Sequence, residues 1–205
     1  MDDVKRINGI STDPFSMRTT TASEDFRENI LGKKRYVDKT HILIPLLRRD
    51  HEVTFFLRPR RFGKTLALSM IRYFVEDTGD PVRNKENRML FEGMKIMQAG
   101  DFYTEQMTSY PVINLTFQSA KDEEGFGGAY DQLVASIQDE YERHAGILES
   151  AQLTQRNKDY FTRVMLGTDP LTGKTTSMSD YRLSLKRLTE FLRKAYMEKS
   201  DRPDR

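Results

Sequence analysis

From Val53 to Glu76 the chain changes character in a fixed order: a short apolar run, a basic loop, then an amphipathic stretch. Val53-Thr54-Phe55-Phe56-Leu57 reads as a strand, being mostly apolar and rich in β-branched and aromatic residues. Its near-continuous apolarity predicts cover on both faces, as in a parallel sheet. Arg58 to Phe62 follow, then Gly63-Lys64-Thr65. From Leu66 the apolar positions 66, 68, 70, 71, 74 and 75 predict a helix to about Glu76, and Thr78-Gly79-Asp80-Pro81 ends it. Few folds accept that order of signals. One that does sets a helix N-terminus at the mouth of a tight loop, where backbone N–H groups and the helix dipole favour an anion.

The residue types in the loop sharpen this. In a phosphate-binding loop a lysine reaches the β- and γ-phosphates and the hydroxyl beside it ligates Mg²⁺. Lys64 is thus the candidate catalytic residue and Thr65 the candidate metal ligand, while Gly63 lets the backbone approach closely. Pro59, Arg60, Arg61, Phe62, Gly63, Lys64, Thr65 and Leu66 are the candidate nucleotide-binding residues, with the amides of 60 to 64 expected to wrap the β-phosphate. The expected cofactors are ATP and Mg²⁺. The general pattern opens on a glycine five residues before the Gly-Lys pair, where this chain has Arg58, followed by Pro59 with its fixed φ. Taken bare, Gly-Lys-Thr is weak evidence, and the chain carries its own control. Gly173-Lys174-Thr175 repeats the triplet in a polar loop with no strand before it, and reads as a decoy.

Elsewhere the pattern is mixed. Residues 1–22 read as a loose polar arm, and Ser23 to Phe26 as a helix start. Thr40 to Arg49 has helical spacing with Pro45 inside it, so a kink is expected there. Short helical pieces are expected over 85–108 and a second strand over Pro111 to Phe117. Gly125 to Gly128 reads as a flexible joint. Helices are expected over about 130–141, Asp159 to Leu166 and 179–197, with a polar loop over 168–176 and a charged tail over 199–205. Alternation of strands and helices predicts an α/β fold: a P-loop NTPase-like parallel sheet flanked by helices, incomplete because only two strands can be read.

Composition excludes several classes. With no cysteine, disulfides, thiolate metal sites and a cysteine nucleophile are excluded. A net charge of +2 gives no support to a general polyanion binder. His41, His51 and His144 have no metal-ligand spacing. No run of 18 apolar residues occurs and the first residues have no apolar core, so a cytoplasmic chain without a signal peptide is expected.

The stretch Phe55-Phe56-Leu57-Arg58-Pro59-Arg60-Arg61-Phe62-Gly63-Lys64-Thr65 resembles the signature of the bacterial and archaeal AAA-ATPase-like family. Tyr36-Val37-Asp38-Lys39-Thr40 resembles its second motif, and Tyr110 to Phe117 its next core strand. The likeness spans roughly residues 30 to 197, and in that family the Arg-Pro-Arg-Arg-Phe form replaces the first glycine. It implies an ATP-binding domain over 23–198, a further strand ending in acidic residues (the Walker B element), and often a fused restriction-type nuclease-like domain. Four apolar residues followed by Asp-Asp or Asp-Glu occur nowhere in this sequence. The chain therefore reads as the N-terminal part of a longer protein, able to bind ATP but to hydrolyse it slowly or not at all.

Blander readings stand beside these. Arg58, Arg60 and Arg61 add positive potential for a triphosphate or form a solvated basic turn, and Lys33-Lys34-Arg35 is a solvated turn. Asp38-Lys39-Thr40 caps a helix or, by family position, lies near base or ribose. Asn114 makes a local hydrogen bond or touches the nucleotide. As a whole, the alternative to an ATP-binding domain is a non-enzymatic module whose basic loop meets nucleic acid or a protein partner, or a fragment without function. A homo-oligomer is compatible with either.

Overall fold

The computed structural model describes residues 23–34, 36–48, 53–57, 59, 62–116 and 125–197. The expected arm over 1–22 and tail over 199–205 lie outside these. The chain divides between Tyr110 and Pro111 into two compact units, each with its own core.

The parallel α/β sheet expected from the sequence does not form. The described residues build helices, 3-10 turns and two isolated bridges, Glu76 with Tyr110 and Thr168 with Thr175, and no strand. Val53 to Leu57 takes no regular structure, and all but Phe56 are exposed, Phe55 by 77% and Leu57 by 89%. Strand propensity measures how side chains fit a pleated, half-buried surface. Without a neighbouring strand to supply the ladder and cover the faces, such a run stays single.

The second expected strand fails differently. Residues 111–116 take no regular structure, and Phe117 lies outside the described residues. Two backbone groups that a strand would give to a neighbour go instead to side chains at the end of the helix Gly125–Arg143 (α6 below) and to His144 just beyond it. Glu140 accepts from Asn114 N at 3.1 Å, and Arg143 and His144 Nε2 (3.0 Å) meet Val112 O. Buried backbone groups must find partners, and here an acidic-basic cluster supplies them.

In the first unit a short helix, Phe26–Leu31 (α1), is capped by Asp25, whose carboxylate accepts from Glu28 N. A 3-10 turn over Thr40–Ile42 runs into Leu43–Leu47 (α2). Pro45 falls within the first turn of α2, where its missing N–H costs nothing, so no kink is needed. Lys64–Val75 (α3) is the central element. Met70 and Phe74 are fully buried on one face of it, four residues apart as the helical period requires. Phe91 stacks on Phe26 at 4.9 Å and meets Phe74 edge-on at 5.1 Å.

The turn signal at 78–81 proves two-sided. It stops α3, and Asp80 with Pro81 starts Pro81–Met89 (α4), with Asp80 accepting from Val82 N. The last carbonyls of α3 are sealed by a returning strap: Thr108 N donates to Phe74 O, and Ser109 N and Tyr110 N to Val75 O. Asp101–Thr104 (α5) leads into that strap.

The second unit packs Gly125–Arg143 (α6), Gln155–Leu166 (α7) and Met178–Met197 (α8) pairwise against one another. The expected joint at Gly125 to Gly128 is the first turn of α6. Glycine costs about 1 kcal/mol in a helix interior, which packing of a long amphipathic helix outweighs. α7 begins four residues before Asp159, because Thr154 caps it by accepting from Asn157 N. It ends at Gly167, whose φ of 72° suits the left-handed stop. Tyr141, fully buried, donates to Ser184 O at 2.7 Å and ties α6 to α8. None of the described helices is long and apolar enough to cross a membrane.

The clamp on 111–116 gives the second unit a pH response. His144 is buried, and that burial first, then the Arg143 guanidinium, push its pKa down to about 4. Glu140 lies 3.7 Å from Nε2, but it is already engaged by Arg143 and the Asn114 amide. The folded chain therefore holds neutral histidine while the unfolded chain takes a proton below about 6.5. This contribution is fully present above pH 6.5 and is lost as pH falls towards 4, with a slope of up to about 1.4 kcal/mol per unit. Chemical denaturation of wild type and His144→Gln at pH 7 and pH 5 checks it. The wild type is expected to lose more stability between the two; equal losses would remove His144 from the account.

Candidate functional site

The helix α3 starts at the loop the sequence singled out. Gly63 is its N-cap with φ 72° and ψ 35°, a left-handed conformation that a residue with a Cβ adopts only with strain. No side chain caps this end. A glycine in that position turns the chain into the helix without a capping side chain among the described residues, and the positive end of the helix dipole falls at the loop.

Lys64 is the first helical residue, and its ammonium folds back to donate to Pro59 O at 3.0 Å. The start and end of the loop are thereby brought together under one positive charge. Thr65 follows on the solvent side of the first turn. Leu66 turns inward and packs against the core of the first unit, fixing the helix beneath the loop. Phe62 is more than half exposed. Of the eight residues named from sequence, Pro59, Phe62, Gly63, Lys64, Thr65 and Leu66 are placed in one turn of chain. Arg60 and Arg61, like Arg58, lie outside the described residues.

The upstream motif closes on the same place. Asp38 Oδ1 accepts from Thr40 N (2.8 Å) and Thr40 Oγ1 (2.7 Å), and Oδ2 from Lys95 N at 2.8 Å. Burial works to raise its pKa, but these hydrogen bonds, that of Lys95 first, outweigh it and hold the carboxyl below its ordinary value. Asp38 thus ties the 3-10 turn at Thr40 to the Lys95 backbone, although the N-cap position itself falls to Lys39. Lys39, between Asp38 and Thr40, comes close to the loop as well. A Cβ built on Gly63 would lie 3.9 Å from Lys39 Nζ, so the second motif delivers a second ammonium to the loop. No sequence signal short of the contact itself distinguishes Lys39 from its neighbours.

The other triplet lies in different surroundings. Gly173 sits in a hairpin closed by Asp169 N to Lys174 O at 2.9 Å, and the next helix starts only at Met178. Its N–H groups are spoken for: the Asp169 carboxylate accepts from Leu171 N and Thr172 N, and these bonds, Thr172 first, hold its pKa low. A loop with a carboxylate at its centre repels phosphate. Asn114 uses its backbone N–H on Glu140 and leaves its side chain exposed.

A cleft of about 550 Å³ lies in the second unit, lined among others by Arg156, Arg163, Arg187, Asp180 and Tyr160. Its charges neutralise one another: Arg163 pairs with Asp180 at 3.2 Å, and Arg187 lies 4.1 Å over the Tyr160 ring. Among the described residues no group of three or more His, Asp or Glu is placed to hold a metal ion.

The family model described as Predicted AAA-ATPase matches residues 21–172, most of the chain and all of the loop. The chain belongs to that family. No curated protein and no solved structure gives a significant match.

Proposed function

We propose that this chain binds ATP with Mg²⁺ at residues 59–66. The observation that carries the reading is the start of α3: a left-handed glycine, no side-chain cap, and the Lys64 ammonium held over the loop by Pro59 O. A phosphate chain fits such an end, because it accepts from first-turn N–H groups and from the ammonium together. In this reading Lys64 neutralises the β- and γ-phosphates. Thr65, whose side chain is exposed, would hold Mg²⁺ through its hydroxyl, and the ion would supply positive charge against the phosphates. Membership in a family of predicted AAA-ATPases supports the same assignment.

The proposal is confined to binding. The acidic pair that would hold Mg²⁺ through water and orient an attacking water occurs after no apolar run in these 205 residues. Turnover is accordingly assigned to a longer form carrying those carboxylates.

Titration calorimetry with ATP, with and without Mg²⁺, tests the site. Binding is expected to tighten with Mg²⁺, and Thr65→Ala is expected to bind ATP without that gain. A folded wild-type chain that takes up no ATP would sink the proposal. A Mg²⁺ effect untouched by Thr65→Ala would sink the metal-ligand role.

A further inference from the structure

Lysine 39 sits in an unusual position for a lysine. It is half-buried, and its ammonium has no hydrogen-bond or ion-pair partner among the described residues. Taking a cation partly out of water costs free energy unless an anion compensates. The nearest carboxylate in sequence, Asp38, is committed to Lys95 N and to Thr40. What Lys39 does approach is Gly63, the point where α3 begins, at 3.9 Å from the place a Cβ would occupy.

Its placement is fixed by its neighbours rather than by itself. Asp38 on one side is tied to Lys95 N. Thr40 on the other is fully buried, and its Oγ1 accepts from Ile96 N at 3.1 Å. Three residues before Lys39, Tyr36 packs edge-on against Phe26 at 5.3 Å. The backbone of Lys39 is thus pinned from both sides, so ordering its side chain around a ligand costs less entropy than for a free surface lysine.

We propose that Lys39 is a second phosphate-binding cation of the nucleotide site, meeting the phosphate chain beside Gly63 where α3 begins. This rests on the ATP-binding reading and adds to it a residue and a contact class: the triphosphate, not the base or ribose. Two ammonium groups beside one helix N-terminus suit a polyanion of three or more charges better than a monophosphate.

The experiment compares wild type, Lys39→Met, Lys39→Arg and Lys64→Ala by calorimetry with three probes: Mg-ATP, AMP and inorganic triphosphate. Methionine keeps an apolar stem of similar reach and removes the charge, and thermal unfolding with unchanged midpoint establishes that the fold survives. Lys39→Met is expected to weaken Mg-ATP and inorganic triphosphate alike by about tenfold or more, AMP by less, with Lys39→Arg retaining most of the affinity. Weakened ATP with unchanged triphosphate would overturn the phosphate assignment. Unchanged affinity for both, while Lys64→Ala loses them, would overturn the role of Lys39 and leave the ATP site standing. A wild-type chain that binds neither probe would remove the ATP-binding reading and this one with it.

Discussion

Lys64→Ala is expected to weaken Mg-ATP binding by about ten- to a hundredfold, while the chain stays folded. The size follows from the kind of contact removed. Charge-assisted hydrogen bonds contribute about 1.5–3 kcal/mol, and each 1.4 kcal/mol is a factor of ten in affinity. Stability is expected to be nearly untouched, because the bond Lys64 makes to Pro59 O is solvent-exposed. The helix itself also does not depend on it: α3 is held by Met70 and Phe74 in the core and by the 108–110 strap at its far end. Lys64→Arg is not a mild control. A planar fork cannot replace a compact point charge where the backbone of a tight loop sets the space. The measurement is calorimetry beside a thermal scan. If the folded alanine variant bound Mg-ATP as tightly as wild type, the loop would not be the nucleotide site, and Thr65 and Lys39 would lose their roles with it.

How much of this could be read from residues alone depends on which signals are local. Asp25 before α1, Thr78-Gly79-Asp80-Pro81 between α3 and α4, and the period of α3, α7 and α8 are all set by the chain within a few residues. Each of these elements forms near where its pattern places it, give or take a turn. Of the candidate loop, the glycine turn at Gly63 and the helix start at Lys64 are set locally in the same way. The strands are not. A strand's hydrogen bonds belong to a neighbour, and neither Val53 to Leu57 nor 111–116 has one among the described residues. That Glu140, Arg143 and His144 would satisfy the second segment depends on a helix more than twenty residues downstream. Lys39 falls in the same class. Its motif was visible, but its approach to Gly63 depends on Asp38 and Thr40 docking onto the 95–98 turn.

In the second unit one buried ring touches both of the other helices, and removing it is expected to have a large effect on stability. Phe161 has no exposed surface, sits 4.6 Å from the Tyr141 ring on α6 and 6.4 Å from Phe191 on α8, and so touches both other helices of the bundle. With Tyr160 and Val164 it makes the buried stripe of α7. Phe161→Ala removes a benzyl group from a site enclosed by two rigid aromatic rings, which can collapse into the gap only in part. The cost is the lost burial plus the remaining cavity, about 3–5 kcal/mol. Small domains are stable by only about 5–15 kcal/mol, so the variant is expected to keep the second unit barely folded or not folded. Leu171→Ala is the matched surface control: that leucine is 92% exposed, and its loss is expected to stay within about 0.5 kcal/mol. With no tryptophan in the chain, urea unfolding followed by circular dichroism is the suitable readout. A Phe161→Ala loss under about 1 kcal/mol would mean that the α6–α8 bundle is not packed around this ring, and the clamp of Glu140, Arg143 and His144 on 111–116 would then need another support.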